Sequence, residues 1–285
     1  MNSADTRRPD AIGRSARLEL VFGVRRGRTV LRHGYAEPPL RVGCPLTVGN
    51  AAHLILASSA PGVFGGDTFE QHIVLEPGAS VHLSSQSALQ VHPGISGGSA
   101  RVRSVYDVGD EAELRCDWDP VIPFAGSRLD QRSTVFVAPS ARLLWNEGFM
   151  AGREGHGERW QFAVMRQELR VVRGDVLEYL ERFRIVPAED RERGRWVAGD
   201  CRYFGTVVAL GWPARPERAE SLHVRLAGLR GLHGAVDCLG PSALLARLAS
   251  EWGPAFHEAR ATLARLASSA EQVITAPTSE LDRAW

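Results

Sequence analysis

The sequence predicts a mainly β protein: layered, sandwich-like (β-helical) sheets carrying a small helical element near the C-terminus. Three observations carry this. Short runs of alternating apolar and polar residues recur about every 8–12 residues, separated by Gly, Pro, Asp or Ser. Twenty-nine glycines and 16 prolines supply the turns that so many strands need. The last quarter of the chain then exchanges the period of two for helical spacing.

Taken in order, Ala16–Phe22 (ARLELVF) alternates cleanly and leads through a Gly/Arg turn into Thr29–Leu31. Further strands are expected at Ala52–Ala57, Glu70–Glu76, Val81–Gln86, Arg101–Tyr106, Glu111–Cys116, Ser133–Val137 and Ala141–Phe149. Two longer runs follow, Trp160–Val172 and Val176–Val186, and then Tyr203–Leu210 and Leu222–Leu226. Pro241 and Ser242 make a helix start, with Leu244, Leu245, Leu248 and Trp252 at helical spacing behind them. Gly253-Pro254 interrupts the run. Phe256, Ala259, Leu263 and Leu266 then resume an apolar stripe with Arg260 and Arg265 off it. Two helices, or one kinked helix, are expected to pack on the chain's own sheets. No internal repeat or linker is legible, so residues 1–285 read as one domain, with 1–14 and 270–285 as flexible ends and 188–199 as a charged, exposed loop.

Charge and composition exclude several functions. The chain contains 34 basic residues against 33 acidic ones, which leaves no footprint for nucleic acid or an anionic membrane. All 34 are arginine. A P-loop needs a phosphate-binding lysine, and a Schiff-base enzyme needs an amine that can lose its proton; arginine does neither. No stretch approaches the length of an apolar membrane span, and the N-terminal residues lack the apolar core of a secretory signal. Four scattered cysteines without a C-x-x-C pair read as reduced thiols, so a cytoplasmic protein is expected.

Four local patterns offer chemistry, each beside a plainer reading. Gly94-Ile95-Ser96-Gly97-Gly98 matches the G-x-S-x-G elbow of a serine hydrolase, with Ser96 as nucleophile. That motif requires a helix after it, and ARVRSVYDV reads as a strand, which favours a hairpin loop. His72 and His82 fall on polar strand faces, where pairing could bring them together around a metal or leave both in solvent. The loop Gly152–Glu158 sets Glu154, His156 and Glu158 on a glycine-rich backbone suited to a weak divalent cation. In Pro61-Gly62-Val63-Phe64-Gly65-Gly66-Asp67, an apolar strand enters a turn that ends on a carboxylate. Asp67 either caps its own turn or aims into a cavity or interface.

This last run extends into a wider likeness. PGVFGGDTFEQHIVLEPGASVHLSSQSALQV resembles the N-terminal signature of the urease accessory protein family UreD, also called UreH. Gly65-Gly66-Asp67, Gly78-Ala79 and Ser84-Ser85-Gln86 carry the resemblance. Ile122-Pro123-Phe124-Ala125 through Arg132, Ala141-Arg142-Leu143-Leu144-Trp145, Gly152-Arg153, Gly157-Glu158 and Leu180-Glu181-Arg182-Phe183 follow in the same order. The resemblance implies a non-enzymatic scaffold that binds apo-urease with UreF and the GTPase UreG. It implies no permanently bound cofactor, only nickel in transit along an internal path. Such a path should bind the ion weakly, which carboxylates and water do better than thiolates. The motif matches nominate Asp67, Glu158 and Glu181 for it, with Gly65 and Gly66 shaping the turn before Asp67; Glu147 and His156 are further candidates that no motif match carries.

Overall fold

The computed structural model describes residues 13–95, 97–189 and 198–267, and nothing of the Leu266 side chain. The ends expected to be flexible lie outside these residues except for Gly13 and Arg14, as do residues 190–197 of the charged loop.

The chain opens with strands β1 (Ser15–Arg25), β2 (Arg28–Ala36), β3 (Leu40–Val42), β4 (Leu46–Val48) and β5 (Ala51–Ser58). Three coils follow. The first is β6 (Val63–Phe64), β7 (Thr68–Leu75) and β8 (Ser80–Ser85); the second is β9 (Gln90–His92), β10 (Ala100–Val108) and β11 (Glu113–Asp117). The third is β12 (Ile122–Pro123), β13 (Arg128–Val137) and β14 (Arg142–Met150). Equivalent strands pair in parallel, so the coils stack into a short, three-walled β-helix.

The two large walls extend beyond the coils. β1 pairs with β7, and β15 (Val164–Arg173) with β13, both in parallel; the antiparallel partners β2 and β16 (Val176–Ile185) close the edges of a seven-stranded sheet. The opposite wall has nine strands and ends in the antiparallel set β17 (Tyr203–Leu210), β19 (Ala243–Ser250) and β18 (Leu232–Gly240). Helix α1 (Pro216–Ala227) lies between β17 and β18, and α2 (Gly253–Ala267) follows β19.

Alternation explains the main core. β10 buries Ala100, Val102, Ser104, Tyr106 and Val108 while the residues between them face outward. From the facing walls Leu20, Ile73, Leu83, Leu114, Leu129 and Trp145 meet in one apolar cluster, each worth about 1.5–3 kcal/mol when fully buried. A second core lies on the outer face of the nine-stranded sheet. There Leu144, Val207, Leu244 and Leu248 pack against Leu222 and Leu226 of α1 and Phe256 and Leu263 of α2. The helical layer therefore sits on the chain's own sheet, as expected. No helix among the described residues is long and apolar enough to cross a membrane.

Three expectations are corrected. Leu222–Leu226 is helical, part of α1, whose start is set by Pro216 in its first turn and whose buried face is Ala219, Leu222 and Leu226. The segment expected to form a helix behind Pro241 is strand β19; Leu244, Ala246 and Leu248 share one face at a period of two that Leu244/Leu248 alone also fit as a helix. The repeat that the sequence hides is structural. Thr68 faces Arg101 and Arg101 faces Asp130, so successive coils differ in length and no fixed period is written into the chain.

Candidate functional site

Two cavities lie between the large walls. One, of about 190 Å³, is lined by Gln71, Ser104, Gln131, Ser133 and Gln167, polar residues on the inner face of the seven-stranded sheet. The other, of about 420 Å³, is lined by Glu181, Thr206, His233 and Arg247 among others. Glu147, Gly148 and Gln167 line both.

Period-two alternation on β14 turns Leu143, Trp145 and Glu147 inward and Leu144 and Asn146 outward beneath α2. Glu147 is thereby only 7% exposed. Burial drives its carboxyl up to about 7, and the nearby Glu181 charge pushes the same way. Glu181 sits on edge strand β16, where Tyr179, Glu181 and Phe183 alternate inward. Its Oε2 accepts hydrogen bonds from the Tyr179 hydroxyl at 3.0 Å and from Thr206 Oγ1 at 2.9 Å. Its Oε1 faces Arg247 Nη1 at 2.8 Å. Burial raises the Tyr179 phenol, which keeps it a donor at neutral pH. The arrangement thus places two carboxylates, one proton-binding near neutrality and one ion-paired, along a line of uncharged amide and hydroxyl groups.

The other nominated residues lie elsewhere. Asp67 is 5% exposed and closes its own turn: Oδ1 accepts from the Arg14 N–H at 2.8 Å and Oδ2 from the Phe64 N–H at 2.9 Å. Neither cavity includes it. Gly66 holds φ of +104°, as a glycine turn requires. At Gly65 the reason is space. A Cβ there would stand 2.4 Å from Gly98 O and 2.6 Å from Gly94 N, so the loop carrying the G-x-S-x-G sequence lies directly on this turn. Gly65→Ala is therefore expected to lower stability by about 1–3 kcal/mol in thermal unfolding. Asp67→Ala leaves the Arg14 and Phe64 N–H groups without their acceptor, at about 1–3 kcal/mol. Full stability in the Asp67→Ala protein would refute its capping role.

Glu158 is a clasp for its loop. It accepts from the Ala125 N–H at 3.0 Å and from Arg153 Nε at 2.9 Å and Arg153 Nη2, while the Arg153 guanidinium lies 4.0 Å over the Phe124 ring. Arg153 holds the Glu158 carboxyl down at about 2. His156 is exposed in a 3₁₀ turn, Glu154–His156, outside both cavities. His72 bonds Asp107 at 2.6 Å on the seven-stranded sheet, whereas His82 stacks on His53 at 4.3 Å on the nine-stranded one, so strand pairing does not join them. Ser96 lies outside the described residues; the chain after its loop is strand β10, not the helix that a nucleophile elbow requires. Among the described residues no three His, Cys, Asp or Glu side chains are poised around a metal position, and the four cysteines are free.

The sequence reading missed Gln167, Thr206 and Arg247. Inward alternation on β15 and β17 could have pointed to the first two. Arg247 was hidden by the helix expected there.

Fold and site define a class: a short β-helical protein with a polar, carboxylate-bearing interior and a helical layer on one wall. The family model for the UreD urease accessory protein matches residues 14–285, and the chain belongs to that family. It is 34% identical over 244 residues to the urease accessory protein UreD of Sorangium cellulosum, covering 81% of this chain and 76% of that one. It is 32% identical over 242 residues to UreD 2 of Streptomyces griseus, covering 81% of each. It is 33% identical over 208 residues to UreD of Deinococcus radiodurans, covering 70% and 74%.

Proposed function

We propose that this chain is a non-catalytic scaffold for urease maturation, acting in the cytoplasm with UreF and the GTPase UreG on apo-urease, and that nickel passes through its interior. The observation that carries the reading is that the two cavities share Glu147 and Gln167 in their linings, with Glu181 lining the second. A hard or borderline divalent cation moving between sheets needs oxygen donors spaced along its way, none strong enough to retain it. Two carboxylates among glutamine and serine side chains meet that need. Glu147 and Glu181 become the principal path residues; Asp67, Glu158 and His156 shape or occupy the surrounding loops.

The absence of lysine supports the division of labour, since nucleotide binding then falls to the GTPase partner. The test is urease activity in nickel-supplied cells carrying the cognate urease genes, with and without this gene. Activity should collapse without it while urease subunit levels stay normal. Restoring the gene with Glu181→Gln should return less than a tenth of the activity, because a neutral amide cannot supply the charge that draws the cation. Full activity without the gene would overturn the reading.

A further inference from the structure

The Arg247–Glu181 pair bridges the two walls where the larger cavity opens. Arg247 comes from β19 in the nine-stranded sheet and Glu181 from the edge strand of the seven-stranded one. The two oxygens of Glu181 are not equivalent. Oε2 is anchored by the hydroxyls of Tyr179 and Thr206, both neutral and both built into strands. Oε1 is held by the guanidinium at 2.8 Å, and a second guanidinium nitrogen reaches the Tyr179 hydroxyl at 3.4 Å. The Glu181 side chain is 11% exposed, but that of Arg247 is 57% exposed. The carboxylate is thus held from within the strands, while the arginine on it is more than half exposed to solvent.

We infer that Arg247 gates this mouth: its guanidinium occupies the cation position on Glu181 and must swing away for a metal ion to pass. This rests on the passage reading above and adds a control to it. The guanidinium competes with an arriving ion for the same carboxylate oxygen, Glu181 Oε1. With the arginine of the pair more than half exposed, the contact opens at modest cost. Once a divalent ion sits between Glu181 and Glu147, the returning guanidinium restores the competition and releases it. Without that competitor, two facing carboxylates would keep the ion, and a passage would become a trap.

The test uses the full-length purified chain and Ni²⁺ alone, in equilibrium dialysis at pH 7.5. Arg247→Gln removes the charge at an exposed position and should bind Ni²⁺ about tenfold more tightly than the parent. Arg247→Gln combined with Glu181→Gln should lose that gain, which a merely structural role for the arginine would not produce. Arg247→Lys, which keeps a cation there, should stay within about threefold of the parent and serves as the second variant if the glutamine protein is poorly folded. Folded Arg247→Gln that binds no more tightly, or Arg247→Lys that binds as tightly as the gain expected for glutamine, overturns the gate. Cellular urease activity separates the two ideas. If Glu181→Gln lowers activation while Arg247→Gln leaves Ni²⁺ affinity unchanged, the gate is wrong and the passage stands; if Glu181→Gln also activates fully, the passage itself is wrong.

Discussion

Arg260→Ala is expected to lower the unfolding free energy by about 3–5 kcal/mol in urea titration, a large part of the total for a protein of this kind. Arg260 lies on α2 and is 5% exposed. Its Nε donates to Asn146 Oδ1 at 2.7 Å, and its Nη2 donates to the carbonyl oxygens of Trp118 and, at 3.4 Å, Asn146. Asn146 in turn donates to Asp117 Oδ1 at 2.6 Å. One guanidinium thereby ties the helical layer to β14 and to the residue that follows β11, with Asp117 as a counter-charge one side chain away. Burial alone lowers its pKa, and the Asp117 and Asp119 charges act against that. Alanine leaves buried acceptors unpaired and a void beside Phe256, which the guanidinium overlies at 5.3 Å. Arg260→Met restores most of the stem volume but none of the donors, so it should recover part of the loss. A loss below about 1 kcal/mol for the alanine variant would mean that Phe256 and Leu263 hold the helix unaided.

Arg260 also marks where sequence legibility ends. Helical spacing identified the apolar stripe of α2 and set Arg260 off it, yet the helix is pressed closely enough on β14 that this flank is buried too. The strands were legible wherever a face alternates strictly, as on β1 and β10, because one buried wall imposes a period of two. They were illegible where only two or three residues pair, as in β9 and β12, whose partners are a whole coil away. β19 and α1 exchanged identities for a shared reason. Leu244 and Leu248, or Leu222 and Leu226, lie four apart, a spacing that suits one helix face and one strand face alike. Of the site, Glu181 was nominated through family likeness, and Glu147 was a further candidate that neither a motif match nor a local pattern carried. Nothing in a sequence tells that Glu147 and Glu181 face one cavity from opposite walls. Asp67, the most conspicuous carboxylate of the sequence, spends both oxygens on backbone N–H groups.

Glu147→Gln should separate stability from function, raising one and lowering the other. The carboxyl is displaced from an ordinary 4.5 to about 7, chiefly by burial. Between those values the folded chain keeps a proton that the unfolded chain has released. The stability contributed by the neutral buried form is therefore complete below pH 4.5 and is lost as pH rises through about 7. Glutamine carries no such burden. At pH 8 the variant should be more stable than the parent by on the order of 3 kcal/mol, and the difference should close by pH 4.5. Urea unfolding at the two pH values reads this directly. Equal curves at pH 8 would mean that water in the cavities solvates the ionised carboxylate, and the burial argument would fail. Urease activation should move the other way, falling at least tenfold in nickel-supplied cells, because the amide offers a passing cation a dipole where the carboxylate offers a charge. The parent should likewise deliver nickel less well as pH drops below 7, when a proton takes the position that the metal needs. A residue kept at a cost to stability, and needed only in its ionised form, is the pattern expected of a transfer site rather than of a structural one.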